Sequence, residues 1–209
     1  MIYAENILIC IAIPLLLSLL FIDGISRRFV GSFVIGMVVC LLSAYISGYV
    51  NLLSGMGDED TAIFISPVVE EIMKLLPLLF AILMFMPENK VMYQLAMGIG
   101  AGFATFENCC YILTAGAESL PYVIIRGFAV GGMHIVSILA LTLGIELMRR
   151  FKSLSFPAIL GALSLSMTFH GLYNLLVSEP GISSYIGYAM PLITAALLYV
   201  PYKRFRRTQ

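Results

Sequence analysis

Long apolar segments separated by short polar breaks run through the whole chain. They cover approximately residues 4–22, 29–53, 62–86, 91–115, 120–148, 155–177 and 182–202. Each is close to or above the roughly 20 residues that an α-helix needs to cross about 30 Å of hydrocarbon. The breaks between them leave no room for a soluble domain. The pattern therefore predicts an all-α, polytopic membrane helical bundle of about seven transmembrane helices, which forms a single domain over residues 1–209.

Composition supports a membrane protein and excludes several other classes. Of the 209 residues, 60% are hydrophobic and 11% are charged, which would give a soluble domain a mostly apolar surface. The formal net charge is zero, so the chain has no broad basic surface for nucleic acid. The four cysteines all lie in apolar segments and match no zinc or disulfide spacing, which favours a packing role: Cys10, Cys40, Cys109 and Cys110.

The charged residues between the apolar segments predict the orientation. With seven spans, ten of the 12 lysine and arginine residues fall on one side of the membrane: Arg27, Arg28, Lys90, Arg149, Arg150, Lys152, Lys203, Arg204, Arg206 and Arg207. The charged residues on the opposite side are all acidic: Glu5, Asp58, Glu59, Asp60, Glu118 and Glu179. The positive-inside rule then predicts that the N-terminus is outside and the C-terminus is cytoplasmic.

A small set of polar residues lies inside the apolar segments. An ionised side chain within the bilayer costs several kcal/mol unless it is paired or faces a polar cavity. In the predicted orientation, Glu70 and Glu107 lie about 12 Å below the outer surface, at 1.5 Å of helix rise per residue, and His170 lies about seven residues down, at a similar depth. Residues on separate helices at a common depth indicate one buried polar site in the outer half of the membrane.

The spacing of these residues suggests that they have different roles in one site. Lys74 follows Glu70 by four positions and Glu71 by three, so it can neutralise one carboxylate while the other points to a reaction centre. A buried carboxylate can take a proton from water, a histidine can orient that water, and an asparagine amide can donate to a developing oxyanion. We therefore predict peptide-bond hydrolysis. The candidate catalytic residues are Glu70, Glu71, Glu107, His134, His170 and Asn174, and the candidate supporting residues are Lys74, Arg126 and Asn108.

The sequence leaves the use of a metal open. The chain has no HExxH motif, so the helix that carries the zinc ligands of common metalloproteases is missing. Glutamate-based activation of water is therefore favoured, and no cofactor is assigned with certainty. If a zinc ion takes part, its candidate ligands are His134, His170 and Glu107.

Three short motifs lie in order on successive polar spans. Glu70-Glu71-x-x-Lys74 matches an EExxK motif, Phe103-Ala-Thr-Phe-Glu107 an FxxxE motif, and His170-Gly-Leu-Tyr-Asn174 an HxxxN motif, with His134 on the span between the last two. The first two motifs resemble those of the PrsW family of bacterial membrane proteases. The third is similar to a motif of the wider superfamily, which includes the CAAX-processing and bacteriocin-processing proteases.

The resemblance implies more than the residues alone do. Proteins of this kind cleave a membrane-anchored anti-sigma factor on its extracytoplasmic side, the first cut that starts release of an extracytoplasmic-function sigma factor in a stress response. It implies a multi-pass protein of the bacterial cell membrane in which Glu70 or Glu71 is the general base, assisted by His170 and Asn174. The CAAX pattern has a histidine where this chain has Glu107, so that part of the related mechanism does not carry over.

Two other function classes use the same kind of residues. An ion- or proton-coupled transporter also needs intramembrane carboxylates, and Pro67 and Pro77 could interrupt a helix at a binding site. The short chain, the lack of an inverted repeat and the off-centre depth of the polar residues count against it. A scaffold without activity is the third class, and Glu70→Ala and Glu71→Ala variants that fold normally but lose proteolysis would argue against it.

Overall fold

The computed structural model describes residues 4–115 and 119–207, and in these ranges the chain forms seven long helices and no strand. They are α1 (Ala4–Ser18), α2 (Gly24–Ser54), α3 (Ser66–Phe85), α4 (Asn89–Ala115), α5 (Leu120–Arg150), α6 (Ser155–Ser178) and α7 (Ile182–Arg207). The predicted all-helical fold is confirmed. Glu118 of the predicted outer loops, and the side chains of the basic tail at residues 203–207, lie outside what the structure describes.

The helices differ in their suitability for crossing a membrane. Among the described residues, four stretches are long and apolar enough to do so: Gly24–Ser54, Leu120–Arg150, Lys152–Ser178 and Ile182–Tyr199. Helix α1 has 15 residues and spans only about 22 Å at 1.5 Å per residue, short of the hydrocarbon thickness. It ends at Ser18, before the predicted boundary, because the chain enters a turn there. The other two helices, α3 and α4, carry the first two polar motifs, and α6 carries the third.

Local sequence explains several helix ends. Gly55 follows α2 in the left-handed conformation, with φ of 67°, and its N–H donates to the carbonyl of Asn51 at 2.9 Å. Ser119 caps α5 by accepting a hydrogen bond from the backbone N–H of Tyr122. A short turn at Asp58–Asp60 and a π-helical turn at Thr61–Ile65 lead into α3. The predicted third span is therefore α-helical over most of its length, but its first turn is π-helical.

Helices α2 and α4 approach each other closely through glycines. A Cβ atom at Gly36 would overlap the backbone carbonyl of Ile99, and one at Gly102 would overlap the carbonyl of Phe33. A side chain at Gly98 would collide with Ser32 in the same way. Because glycine leaves the two backbones in direct contact, the position of α4, and of Glu107 on it, is set by α2.

Three apolar clusters surround the polar residues of the bundle. The first joins α3, α4 and α5 and includes Leu75 and Ile138. The second joins α1, α2 and α4 and includes Phe103, and the third joins α4, α5 and α6 and includes Met133 and Tyr173. Each cluster contains a residue next to, or one helical turn from, a residue of the predicted site. The apolar core therefore closes around that site.

Candidate active site

Lys74 and Glu71 form an ion pair in the interior. Both side chains are fully buried, and Nζ of Lys74 lies 2.6 Å from Oε1 of Glu71, one helical turn away on α3. The lysine also lies 4.6 Å from the centroid of the Phe103 ring, so its charge faces an aromatic surface of α4. The structure thus pairs Lys74 with the second glutamate of the motif, as the i,i+3 spacing allows.

Lys74 also contacts His134 on α5. Its Nζ lies 2.7 Å from Nδ1 of His134 and 3.4 Å from the hydroxyl of Ser137. An ammonium group can only donate, so Nδ1 of His134 accepts and its Nε2 carries the ring proton. Gly100 lets α4 lie against this part of α5, since a Cβ there would be 3.3 Å from the His134 carbonyl oxygen. The fully buried imidazole is therefore held in one orientation.

The other face of His134 meets Glu107. Nε2 of the histidine lies 2.5 Å from Oε2 of Glu107, and its N–H donates to that oxygen. The second oxygen, Oε1, lies 3.6 Å from Nη2 of Arg126, whose guanidinium stacks 3.4 Å above the Tyr111 ring. The Glu107 side chain is 30% exposed, whereas Glu71 is completely buried. Arg126 thus lies beside an acid, and its supporting role stays a prediction.

His170 lies between the two adjacent glutamates. Its Nδ1 is 2.8 Å from Oε1 of Glu71, and its Nε2 is 3.8 Å from Oε2 of Glu70. A carboxylate bonded to one ring nitrogen fixes the proton there and leaves the other nitrogen with a free lone pair. Oε2 of Glu70 is buried and has no hydrogen-bond partner among the described residues. Oε2 of Glu71 is likewise buried without a partner, but Oε1 of Glu71 is held by Lys74 and His170. Of the two glutamates, Glu71 therefore makes the structural contacts.

The three groups Glu70, His134 and His170 could together hold a metal ion. One ligand atom from each lies within 4.8 Å of the others, and both histidines are buried. Glu70 and His170 fit as they stand, because Oε2 of the first lacks a partner and Nε2 of the second is free. His134 fits after it exchanges one of its two hydrogen bonds for the ion. One oxygen and two nitrogens are a ligand set that zinc accepts. The grouping keeps both predicted histidines but uses Glu70 where the sequence suggested Glu107.

The two asparagines lie at different places around the site. The Nδ2 amide of Asn174 donates to the backbone carbonyl of Ala62 at 2.8 Å, before the start of α3. Oδ1 of Asn108 is buried without a partner among the described residues. The hydrogen bond recorded for Asn174 is thus made to the main chain, although the residue lies one turn from His170.

Sequence reasoning missed two residues of the site's supporting structure. Ser137 accepts a hydrogen bond from Lys74 and donates one to the carbonyl of His134, and Ser166 donates to the carbonyl of Ser137 at 3.0 Å. Ser137 follows His134 by three positions, so the i,i+3 rule could have found it. Nothing in the sequence indicates Ser166, because its contact joins two helices.

The resemblance of the motifs agrees with a match of the chain to a known protein family. A family model described as the PrsW family intramembrane metalloprotease matches residues 26–201. The chain belongs to the PrsW family. No curated protein and no solved structure gives a significant match to it.

As a PrsW protein, it is a multi-pass intramembrane protease and takes a protein substrate. The family's description as metalloproteases agrees with the grouping of Glu70, His134 and His170, and it favours the metal alternative over the metal-free mechanism that the sequence alone suggested.

Proposed function

We propose that the protein is a zinc-dependent endopeptidase that hydrolyses a membrane-anchored protein close to the outer face of the bacterial cell membrane. The observation that carries the proposal is the convergence of ligand atoms from Glu70, His134 and His170, on three helices, within 4.8 Å of one another. These groups are too costly to bury at membrane depth without a use. Family membership makes peptide hydrolysis the expected use.

The metal would be held by Glu70, His134 and His170. Bound there, it would make a water molecule acidic enough to attack near neutral pH and would polarise the scissile carbonyl. Glu71 orients His170 through Nδ1, at 2.8 Å. Lys74 holds Glu71 in turn at 2.6 Å and keeps that carboxylate from competing for the metal. These two residues therefore support the site without contacting the substrate.

Glu107 accepts the proton that the attacking water loses. Among the carboxylates of the site, its side chain is the most exposed, at 30%, against 17% for Glu70 and none for Glu71. It is therefore the least enclosed of the three carboxylates. Its hydrogen bond to His134 fixes one oxygen, and Arg126 lies near the other at 3.6 Å. The position suits transfer of the proton to the leaving amine in the next step.

The whole chain forms one domain with seven spans in this proposal. The N-terminus is outside and the C-terminus is cytoplasmic, as the distribution of basic residues favours. The site then lies about 12 Å below the outer surface. Helix α1, which is short for a span, crosses with the help of the turn that follows it.

A membrane-anchored anti-sigma factor is the proposed substrate, and the cut is the first of those that release an extracytoplasmic-function sigma factor. The motif resemblance and the outer depth of the site support this choice. Membership of a protease family counts against an ion-coupled transporter, and no observation in the described residues favours transport.

The test incubates purified protein in detergent or liposomes with candidate membrane-anchored anti-sigma factors. Cleavage by the wild type is expected, with loss after treatment with a strong chelator and recovery when zinc is added. A Glu70→Gln variant should give no product. If the wild type and this variant give the same substrate pattern, the peptidase proposal fails; if cleavage resists the chelator, the metal-free glutamate mechanism replaces the metal-dependent one.

A further inference from the structure

The turn before α3 has a backbone carbonyl without its usual partner. In the π-helical turn Thr61–Ile65, the N–H of Ser66 is directed to the carbonyl of Thr61, five residues earlier. The next residue that could serve the carbonyl of Ala62 in this register is Pro67, which has no N–H. The Ala62 carbonyl therefore loses the donor that a continuing helix would provide. Ala62 is exposed in the protein, and in the proposed topology it lies at the start of a membrane span, where a carbonyl without a donor is costly.

Helix α6 supplies the missing donor. Nδ2 of Asn174 lies 2.8 Å from the Ala62 carbonyl oxygen, and 112 positions separate the two residues in the chain. Gly171, one turn earlier, lies against the same segment, because a Cβ there would be 3.2 Å from the carbonyl oxygen of Ile63 and 3.9 Å from Cγ of Pro67. The side-chain amide and the glycine together let α6 pack directly on the turn.

The same face of α6 also holds the glutamate motif. His170 precedes Gly171 and contacts Glu71 at 2.8 Å. Helix α6 thus contacts the start of α3 at two points. Asn174 bonds the Ala62 carbonyl before Pro67, and His170 bonds the Glu71 carboxylate after it. Two fixed points determine both the depth and the rotation of the first turns of α3. Those turns carry Glu70, whose direction decides whether it reaches the metal site.

We propose that Asn174 is a positioning residue that replaces the backbone donor removed by Pro67 and so sets the register of Glu70 and Glu71 against His170. It acts through the main chain of Ala62 and not on the reacting carbonyl. The inference rests on the proposed peptidase function for its kinetic test only. Displacing a catalytic group by about 1 Å can cost about 100-fold in rate. Loss of the hydrogen bond between Asn174 and Ala62 should therefore lower the turnover rate measurably.

A double-mutant cycle on Asn174 and Pro67 tests the proposal. Replacing Pro67 by alanine restores an N–H that can reach the Ala62 carbonyl, so the asparagine becomes dispensable. We expect Asn174→Ala to lower kcat about tenfold in the Pro67 background and less than about threefold in the Pro67→Ala background. An Asn89→Ala variant is the matched control, since that amide bonds Glu146 away from the site.

Hydrogen exchange of residues 61–71 provides a readout that does not need activity. Asn174→Ala should speed exchange in this segment, and Pro67→Ala combined with Asn174→Ala should restore protection. If Asn174→Ala costs the same rate in both backgrounds, or leaves exchange unchanged, Asn174 is not a tether and the proposal is overturned. If wild-type protein cleaves no substrate, the proposed function fails, and the exchange result alone then decides whether Asn174 positions α3.

Discussion

Nζ of Lys74 lies 2.7 Å from Nδ1 of His134, although the two residues are 60 positions apart. The same nitrogen is 2.6 Å from Oε1 of Glu71. One buried ammonium group therefore joins the glutamate motif on α3 to the histidine on α5. Without Lys74, Glu71 would be an uncompensated carboxylate in the interior, which is far more costly than the buried pair.

Substituting Lys74 by methionine should destabilise the fold. The variant leaves Glu71 without its counter-charge, and we expect the free energy of unfolding to fall by about 3–5 kcal/mol. Denaturant unfolding in detergent measures the change. The control is Lys152→Met at an exposed position, which should stay within about 0.5 kcal/mol of wild type. A Lys74→Met/Glu71→Gln double variant should recover most of the lost stability, and a double variant as unstable as the single one would contradict this account.

The two adjacent glutamates should respond differently to conversion to glutamine. Glu71→Gln weakens contacts to Lys74 and His170, so it should lower thermal stability as well as cleavage. Glu70→Gln should abolish cleavage and zinc binding while the unfolding temperature stays near that of metal-free wild type, because Oε2 of Glu70 has no hydrogen bond to lose among the described residues. Equal loss of stability in both variants would show that the glutamates do not divide their roles in this way.

Zinc retention should separate Glu107 from the proposed ligands. In Glu107→Gln we expect about one zinc per chain to remain while turnover falls by 100-fold or more, roughly the contribution of a general base. His170→Ala should lose both the metal and the activity. Elemental analysis of the purified variants gives the stoichiometry. Glu146→Gln is the control carboxylate, which bonds Asn89 and Tyr93 instead of a histidine. Loss of zinc from Glu107→Gln would make Glu107 a ligand.

The glycine contact between α2 and α4 should be intolerant of a single methyl group. Gly102→Ala places Cβ on the carbonyl of Phe33, and we expect a loss of about 1–3 kcal/mol in unfolding free energy. Gly48→Ala, with no atom within 4 Å of the added Cβ, should be neutral or stabilise α2 by up to about 1 kcal/mol. Unfolding of the two variants side by side measures the difference, and similar stabilities would mean that the helices do not touch at Gly102.

Thiol labelling should report the orientation. In a variant whose four cysteines are replaced by alanine, Asp60→Cys should react with a membrane-impermeant maleimide on intact cells. Lys152→Cys should react only after the cells are permeabilised. Both positions are exposed, so accessibility within the protein does not limit either reaction. The reverse labelling pattern would invert the proposed topology and place the site in the inner half of the membrane.

The helices and the contacts within one helix were largely predictable from sequence. Apolar runs located all seven helices, and the i,i+3 spacing allowed for the pair of Glu71 and Lys74. Spacing along a helix fixes which residues share a face, because the helical geometry is the same everywhere. The short α1 was not foreseen, since a turn after Ser18 ends it inside the apolar run.

Contacts between helices were less predictable. The sequence grouped His134, His170 and Glu107 as metal candidates, whereas the ligand atoms that converge come from the two histidines and Glu70. Which faces of separate helices meet depends on rotation and depth, and glycines such as Gly100 set these by allowing backbones to touch. The π-helical turn also escaped prediction, because Pro67 signals a helix start without showing how the preceding turn is wound.

The glycine contact between α2 and α4 also restricts how a substrate reaches the site. A transmembrane segment about 10 Å wide cannot pass between two helices whose backbones are in contact. Gly36, Gly98 and Gly102 therefore leave no gap between α2 and α4 at these positions. In the proposed function, a substrate segment that enters from the side therefore has to pass along another helix boundary.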